Sequence, residues 1–181
     1  MFEACRVCGS GTRFLFSLRV LDLPVQYQEC PECGYVQTEK PTWLARAYME
    51  AIGDADTGIM LRNRVNVGYV LTALLALGRL DGRVVDLGGG YGILVRMLRD
   101  CGIDAWWSDK HCENLFARGF ESTQRRYDLA TAFEVFEHLE HPLDELRSML
   151  EVSSAVLLST TLAPASGALR PDWWYLVPEY G

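Results

Sequence analysis

Four cysteines near the amino terminus, and an acid set among glycines in mid-chain, are the residues whose spacing can do chemistry. Cys5 and Cys8 make one Cys-x-x-Cys pair, Cys30 and Cys33 a second, and the 21 residues 9–29 lie between the pairs. A glycine follows each pair, Gly9 and Gly34, which suits a tight turn that points two thiolates inward. Four thiolates match a closed tetrahedral Zn2+ site of structural type, with Cys5, Cys8, Cys30 and Cys33 as ligands. The opening MFEACRVCGS lacks the charged-then-apolar pattern of an export signal, so metal binding in a reducing compartment is expected rather than disulfide pairing. Cys101 and Cys112 fit no metal spacing and are expected as a buried small apolar residue and a pocket-wall residue.

Residues 84–98 read VVDLGGGYGILVRML: an apolar run carrying Asp86, then Gly88, Gly89, Gly90, Tyr91 and Gly92, then a helical pattern. The dinucleotide fingerprint needs a glycine at its sixth position, and Ile93 (counted from Gly88) or Val95 (counted from Gly90) stands there. The phosphate-binding loop ending in Gly-Lys-Ser/Thr fails as well. What remains is acid-x-Gly-x-Gly-x-Gly, suited to a ligand that lies against bare backbone and carries a positive group near an acid. S-adenosylmethionine has those features and no phosphate. Asp86 can meet its ammonium, and backbone N–H groups at the start of the following helix can meet its carboxylate. Asp109 stands seventeen residues beyond Gly92, at the end of the next apolar run, where an acid accepts hydrogen bonds from ribose hydroxyls. NAD would use the same acid, and a helix cap is the simpler alternative.

The elements that must position these groups follow from periodicity and punctuation. Residues 41–53 read as a helix opened by Pro41 and closed by Gly53, and residues 57–78 as a longer helix ending at Gly78. RVVDL at 83–87 reads as a strand buried on both faces. A helix is then expected at 91–101, a strand at 104–109, a short helix at 112–118, a strand at 127–134, a helix at 142–151 and a strand at 155–161. That alternation predicts an α/β fold with a Rossmann-like, doubly wound parallel sheet and a small N-terminal zinc ribbon. The expected division is 1–40 for the ribbon, 41–80 for linking helices and 81–181 for the ligand-binding core.

The chain has 181 residues, 49% of them apolar, a net charge of −7 and a pI near 5.0. Residues 1–40 hold four basic and five acidic side chains, and no basic run exceeds a pair such as Arg125–Arg126. Phosphate-tracking surfaces are basic, so a nucleic-acid partner is disfavoured. No apolar stretch reaches membrane-spanning length, and a soluble, cytoplasmic protein is the default expectation. Oligomeric state is not legible.

Three segments together, VVDLGGGYG, the acid in WWSDKHCENLFA, and YDLATAFEVFEHLEHP, resemble the core of a class I S-adenosylmethionine-dependent methyltransferase. The cysteine pairs are similar to the zinc-binding segment of some bacterial small-molecule and sugar methyltransferases. The resemblance implies that Asp86, Gly88, Gly89, Gly90, Tyr91, Gly92, Asp109, Phe133 and Glu134 bind the cofactor. It also implies a small-molecule methyl acceptor, such as a sugar or nucleotide-sugar. The family's fourth strand and the turn after it border the transferred methyl group, which nominates Glu137 and His138 for catalysis. An imidazole suits base work near neutrality, and the alternative for His138 is a structural role under the cofactor. His141 is expected at the surface, and so is His111, whose alternative is a place lining the nucleoside pocket. Trp173, Trp174 and Tyr175 fit either a substrate wall or the core, and Tyr48 and Arg62 could cap the site.

Two departures from the family stand out. Its third strand and adenine contact find only GFES at 119–122, hence Phe120, Glu121 and Ser122 as candidates. Its sheet closes with two further strands, so the expectation is an incomplete, C-terminally truncated fold. The competing readings are a nicotinamide-dependent oxidoreductase, a zinc-ribbon binding module on a degenerate methyltransferase fold, and an RNA methyltransferase.

Overall fold

The computed structural model describes residues 3–20, 22–42, 57–123, 126–164 and 169–176. The chain forms two compact units, one of residues 1–48, 138–144 and 161–181, the other of residues 49–137 and 145–160. Of the expected helix at 41–53, residues 43–53 lie outside the described residues, and Tyr48 with them.

In the first unit, β1 (Arg13–Val20), β2 (Leu23–Glu29) and β3 (Val36–Thr38) form an antiparallel sheet in the order β1-β2-β3. Its apolar core is slight: Val20 and Val25 are buried and Tyr27 packs against them. Polar links do much of the rest. Buried Glu29 takes the Arg13 guanidinium at 2.7 Å, and buried Gln28 accepts from Thr12 Oγ1 at 2.7 Å.

In the second unit, α1 (Ile59–Ala76) precedes β4 (Arg83–Leu87), α2 (Ile93–Asp100), β5 (Asp104–Ser108) and β6 (Leu129–Phe133). Along the chain a 3-10 turn (Phe136–His138), α3 (Pro142–Val152) and β7 (Val156–Ser159) follow, with His138 and the first three residues of α3 assigned to the first unit. The four strands are parallel, in the order β5-β4-β6-β7. The chain therefore steps from β4 to β5 on one side and resumes at β6 on the other. That reversal opens a crevice between the carboxyl ends of β4 and β6, where open α/β sheets bind ligands. Val84, Ala105 and Leu129 on one face of the sheet pack with Val70 and Leu74 of α1 and Leu94, Val95 and Leu98 of α2. Val85, Ala130 and Tyr127 form a second cluster with Leu87, Trp106 and Val156. The fold is α/β and Rossmann-like, a parallel four-stranded sheet flanked by helices.

Two expectations fail. Residues 112–118 form no helix. Their backbone donors are drawn elsewhere: Leu115 and Phe116 N–H donate to the Tyr91 carbonyl, and Ala117 N–H to the Asn114 side chain. An asparagine that bonds local backbone competes with the helical ladder. Cys101 is exposed rather than buried, because it caps α2 where the chain turns at Gly102. The segment at 119–122 makes one parallel bridge, Glu121 to Trp107, on the outer edge of β5. No helix among the described residues is long and apolar enough to cross a membrane.

Candidate functional site

The two Cys-x-x-Cys-Gly segments fold into the same turn. Cys5 N–H donates to the Ser10 carbonyl and its own carbonyl accepts from Gly9 N–H; Cys30 does the same with Tyr35 and Gly34. Gly9 and Gly34 have φ of 77° and 74°, which any side chain would strain. The turns bring the four sulfurs within 4.8 Å of one another, with Cys5–Cys33 at 3.6 Å and Cys8–Cys30 at 3.5 Å. Metal–sulfur bonds of about 2.3 Å around a tetrahedral centre set edges of about 3.8 Å, so the cluster is the right size for a metal ion. Hydrogen bonds from Ser10, above all from its side chain, lower the Cys8 thiol to about 6, while, against a Tyr35 backbone hydrogen bond, burial and the neighbouring sulfurs push the Cys33 thiol up to about 12. Buried Gln37 braces the first turn, accepting from Arg6 N–H at 2.9 Å and donating to the Ala4 carbonyl at 3.2 Å. The cysteines were legible from spacing; Gln37, an isolated amide in a short strand, was not.

The glycine loop is built from the β4 row outward. Asp86 stands in register between Trp107 on β5 and Thr131 on β6. It is 4% exposed, and Thr131 Oγ1 donates to its Oδ1 at 2.6 Å. Burial pushes the carboxyl up to about 7; the Thr131 hydrogen bond opposes this and the negative charge of Asp109 adds to it. Among the described residues no ion pair includes Asp86.

The glycines divide by what surrounds them. A Cβ on Gly88 would lie 2.8 Å from Val135, one on Gly89 2.8 Å from Trp107, and one on Gly92 2.7 Å from Asn114. Those three are glycine because their neighbours leave no room. Gly90 has φ of 52°, yet a Cβ there would meet nothing within 4 Å. Among the described residues nothing crowds it, which leaves room for a ligand on bare backbone there. The loop is fixed from outside: Trp107 Nε1 donates to the Gly90 carbonyl at 2.8 Å, and Gly90 N–H donates to Asp109 Oδ2 at 2.9 Å. Asp109 Oδ1 accepts from the N–H groups of His111 and Cys112. Asp109 thus caps a turn, not the helix that the simpler alternative expected, and also ties that turn to the loop. Gly92 is the N-cap of α2 and no side chain caps the helix, leaving its first donors for an anion.

At the end of β6, Phe133 packs against the core and Glu134 is exposed. Glu134 has φ of 53°, a left-handed conformation that costs a non-glycine residue on the order of 1 kcal/mol. Its carboxylate accepts from Ser159 Oγ at 2.6 Å, and its N–H donates to the Ser159 carbonyl at 3.1 Å. Glu137 and His138 follow on the 3-10 turn. Thr131, Trp107, Val135, Asn114 and Ser159 escaped the sequence reading; a lone threonine in LATAF was the only signal for any of them.

The remaining candidates separate clearly. Phe120 lies 3.5 Å beneath the Arg99 guanidinium, Glu121 accepts from Asn114 and Gly119, and Ser122 shares a hydrogen bond with Tyr127. All three tie the chain to itself. Arg62, His111 and His141 are exposed. Trp173 meets the Tyr175 ring at a tilt and Trp174 meets it edge-on, and Trp174 is 72% exposed, which removes it from the core. Burial pushes the Cys112 thiol up to about 11, with Asp109 adding to it.

Residues 62–181 match the model of a family described as "Methyltransferase domain". Comparison with curated proteins gives no match.

Proposed function

The chain belongs to the methyltransferase-domain family, whose methyl donor is S-adenosylmethionine, and we propose that its glycine loop and β6 turn hold that donor for transfer to a small molecule. S-adenosylmethionine supplies an activated methyl group on a sulfonium. The chain's own residues bind and orient. Asp86 carries the reading: a buried acid pushed up to about 7, beside a glycine loop, is the partner an ammonium needs. Ionised against a cation, Asp86 regains the charge that burial denies it. Gly90 offers the open backbone, with Gly88, Gly89, Tyr91 and Gly92 shaping the loop around it. The uncapped start of α2 receives a carboxylate. Asp109 keeps one lone pair, on Oδ2, for a ribose hydroxyl beyond the three backbone donors it already accepts.

Phe133 and Glu134 border the reacting end, where Ser159 fixes the Glu134 carboxylate. Glu137 and His138, on the turn that follows, are the candidate bases for an acceptor hydroxyl or carbon acid. Sugars and nucleotide-sugars are the acceptor class we favour. The cysteine cluster is read as a structural Zn2+ site that contributes folding energy and no chemistry.

Calorimetric titration with S-adenosylhomocysteine tests the donor site. Saturable one-to-one binding is expected, lost in Asp86→Ala and Gly90→Val. Wild-type protein that is folded and yet shows no heat of binding would overturn the reading. Metal analysis is expected to give one zinc per chain.

A further inference from the structure

Gly90 is the loop glycine least held by packing. It has φ of 52°, and among the described residues nothing lies within 4 Å of where its Cβ would be. A glycine so placed has many conformations to lose before a ligand can rest on it. Yet both of its polar groups are taken, and both by one short stretch of chain. Its N–H donates to Asp109 Oδ2 at 2.9 Å, and its carbonyl accepts from Trp107 Nε1 at 2.8 Å. Asp109 already has a role at the donor site; Trp107 has none.

Trp107 is placed as a fixed point. On the inner side β5 pairs with β4, with Trp107 in register with Asp86. On the outer side its N–H donates to the Phe120 carbonyl at 2.8 Å and its carbonyl accepts from Ser122 N–H at 2.7 Å. The side chain packs against the core cluster that holds Leu94, Val95 and Leu98 of α2. An indole anchored in this way presents its N–H in one direction. Its edge also lies against Gly89: a Cβ there would stand 2.8 Å from Trp107 Cδ1 and 2.9 Å from Asp86 Oδ2. Thr131 holds the other oxygen of that carboxylate, Oδ1. One side chain therefore borders Gly89 beside the buried acid and reaches on to the open backbone of Gly90. Packing alone asks only for an apolar ring; the bond to Gly90 asks for an indole.

We propose, resting on the donor site inferred above, that Trp107 is its positioning residue: the indole N–H fixes the Gly90 carbonyl and so holds the loop, before the donor arrives, in the shape that receives it. Such preorganisation lowers the ordering cost of binding and needs no contact with the ligand. It also has a reciprocal consequence. If the bond favours the binding form of the loop, the ligand must favour the bond by the same factor. A bond that only supports the fold would not respond to the ligand.

Magnetic resonance of the whole metal-loaded chain, carrying isotope-labelled tryptophan, tests this. The indole signal of Trp107 is the one lost in Trp107→Phe. Adding S-adenosylhomocysteine should slow solvent exchange of that N–H by about tenfold, the scale of one hydrogen bond. Exchange at Trp106, which packs in the other cluster across β5, should not change. In calorimetry, Trp107→Phe keeps a ring against the core and should bind S-adenosylhomocysteine about tenfold more weakly. Benzothienylalanine in place of Trp107 keeps the ring shape and exchanges the N–H for sulfur, so it should weaken binding equally in a chain that folds as wild type does. Wild-type protein that is folded and binds no S-adenosylhomocysteine would overturn the donor site and this proposal with it. Wild-type binding with exchange at Trp107 unmoved, or full affinity in the benzothienyl variant, would leave the donor site standing and overturn the proposal alone.

Discussion

Asp86 carries a conflict between stability and binding that can be measured. Its carboxyl is pushed up to about 7 in the folded chain from an ordinary value of 3.8. Below pH 4 both folded and unfolded states hold the proton and the group costs nothing. Between pH 4 and 7 the unfolded chain ionises while the folded one keeps its proton, so stability falls as pH rises; above 7 the loss is complete. About three units correspond to a loss on the order of 4 kcal/mol. Asp86→Asn keeps an acceptor for Thr131 and removes the penalty. Its Tm should exceed that of wild type at pH 8 and equal it near pH 4, in thermal melts without ligand, while S-adenosylhomocysteine binding is lost. An equal Tm gap at both pH values would refute burial as the cause. In wild type, a bound ammonium should drive the proton off. Binding heats at pH 6 should then track the ionisation enthalpy of the buffer, and at pH 8.5 they should not. The loop glycines predict a second contrast. Gly90→Ala should cost only about 1 kcal/mol, from its left-handed φ, yet weaken ligand binding at least tenfold. Gly92→Ala should destabilise by more, because Asn114 and Ala117 already fill the space. Urea titrations of the two variants, with calorimetry alongside, separate these effects.

At the scale of elements, the sequence reveals what local chemistry determines. The apolar RVVDL, the glycines after it and the repeated Cys-x-x-Cys-Gly are each fixed by neighbours in sequence, and the strand, the loop and both turns form where expected. What stayed hidden depends on contacts between distant residues. The segment at 112–118 has a helix-like composition, but Asn114 sits under Gly92 and receives Ala117 N–H while its amide donates to Ala117 O and Glu121. A tertiary hub of this kind overrides propensity, and an asparagine alone does not announce it. The Glu134–Ser159 pair was hidden for the same reason: 25 residues separate its members and only the β6–β7 register joins them. The strongest consequence is for Asn114. Asn114→Ala removes three hydrogen bonds at a buried position and should destabilise by about 2 kcal/mol. Amide exchange should rise at Ala117 and Gly119 before it rises in β4. Equal acceleration throughout the sheet would mean that Asn114 supports the fold globally rather than this loop.

For the molecule as a whole, the two units differ in what holds them. The parallel sheet has a core of ten buried residues shared among strands and helices. The antiparallel sheet has Val20 and Val25, and a chain segment of about forty residues seldom folds on so little without a metal or cross-link. No disulfide supplies the difference, since all six cysteines are free. On the proposed structural-metal reading, the four-sulfur cluster would then be the main source of order for β1, β2 and β3, with the metal contributing folding energy there. Stripping it with a strong chelator should release one equivalent of zinc and abolish amide protection in β1 and β2. Protection in β4 and β6 should persist, because their partners lie within their own core. Cys8→Ser should reproduce the pattern without chelator, since it removes one ligand and leaves the parallel sheet untouched. Exchange mass spectrometry reads both sheets in one sample, so the comparison is internal. If β1 and β2 remain protected after the metal is gone, then the Arg13–Glu29 pair and the buried amides of Gln28 and Gln37 suffice, and the cluster is not what folds this unit.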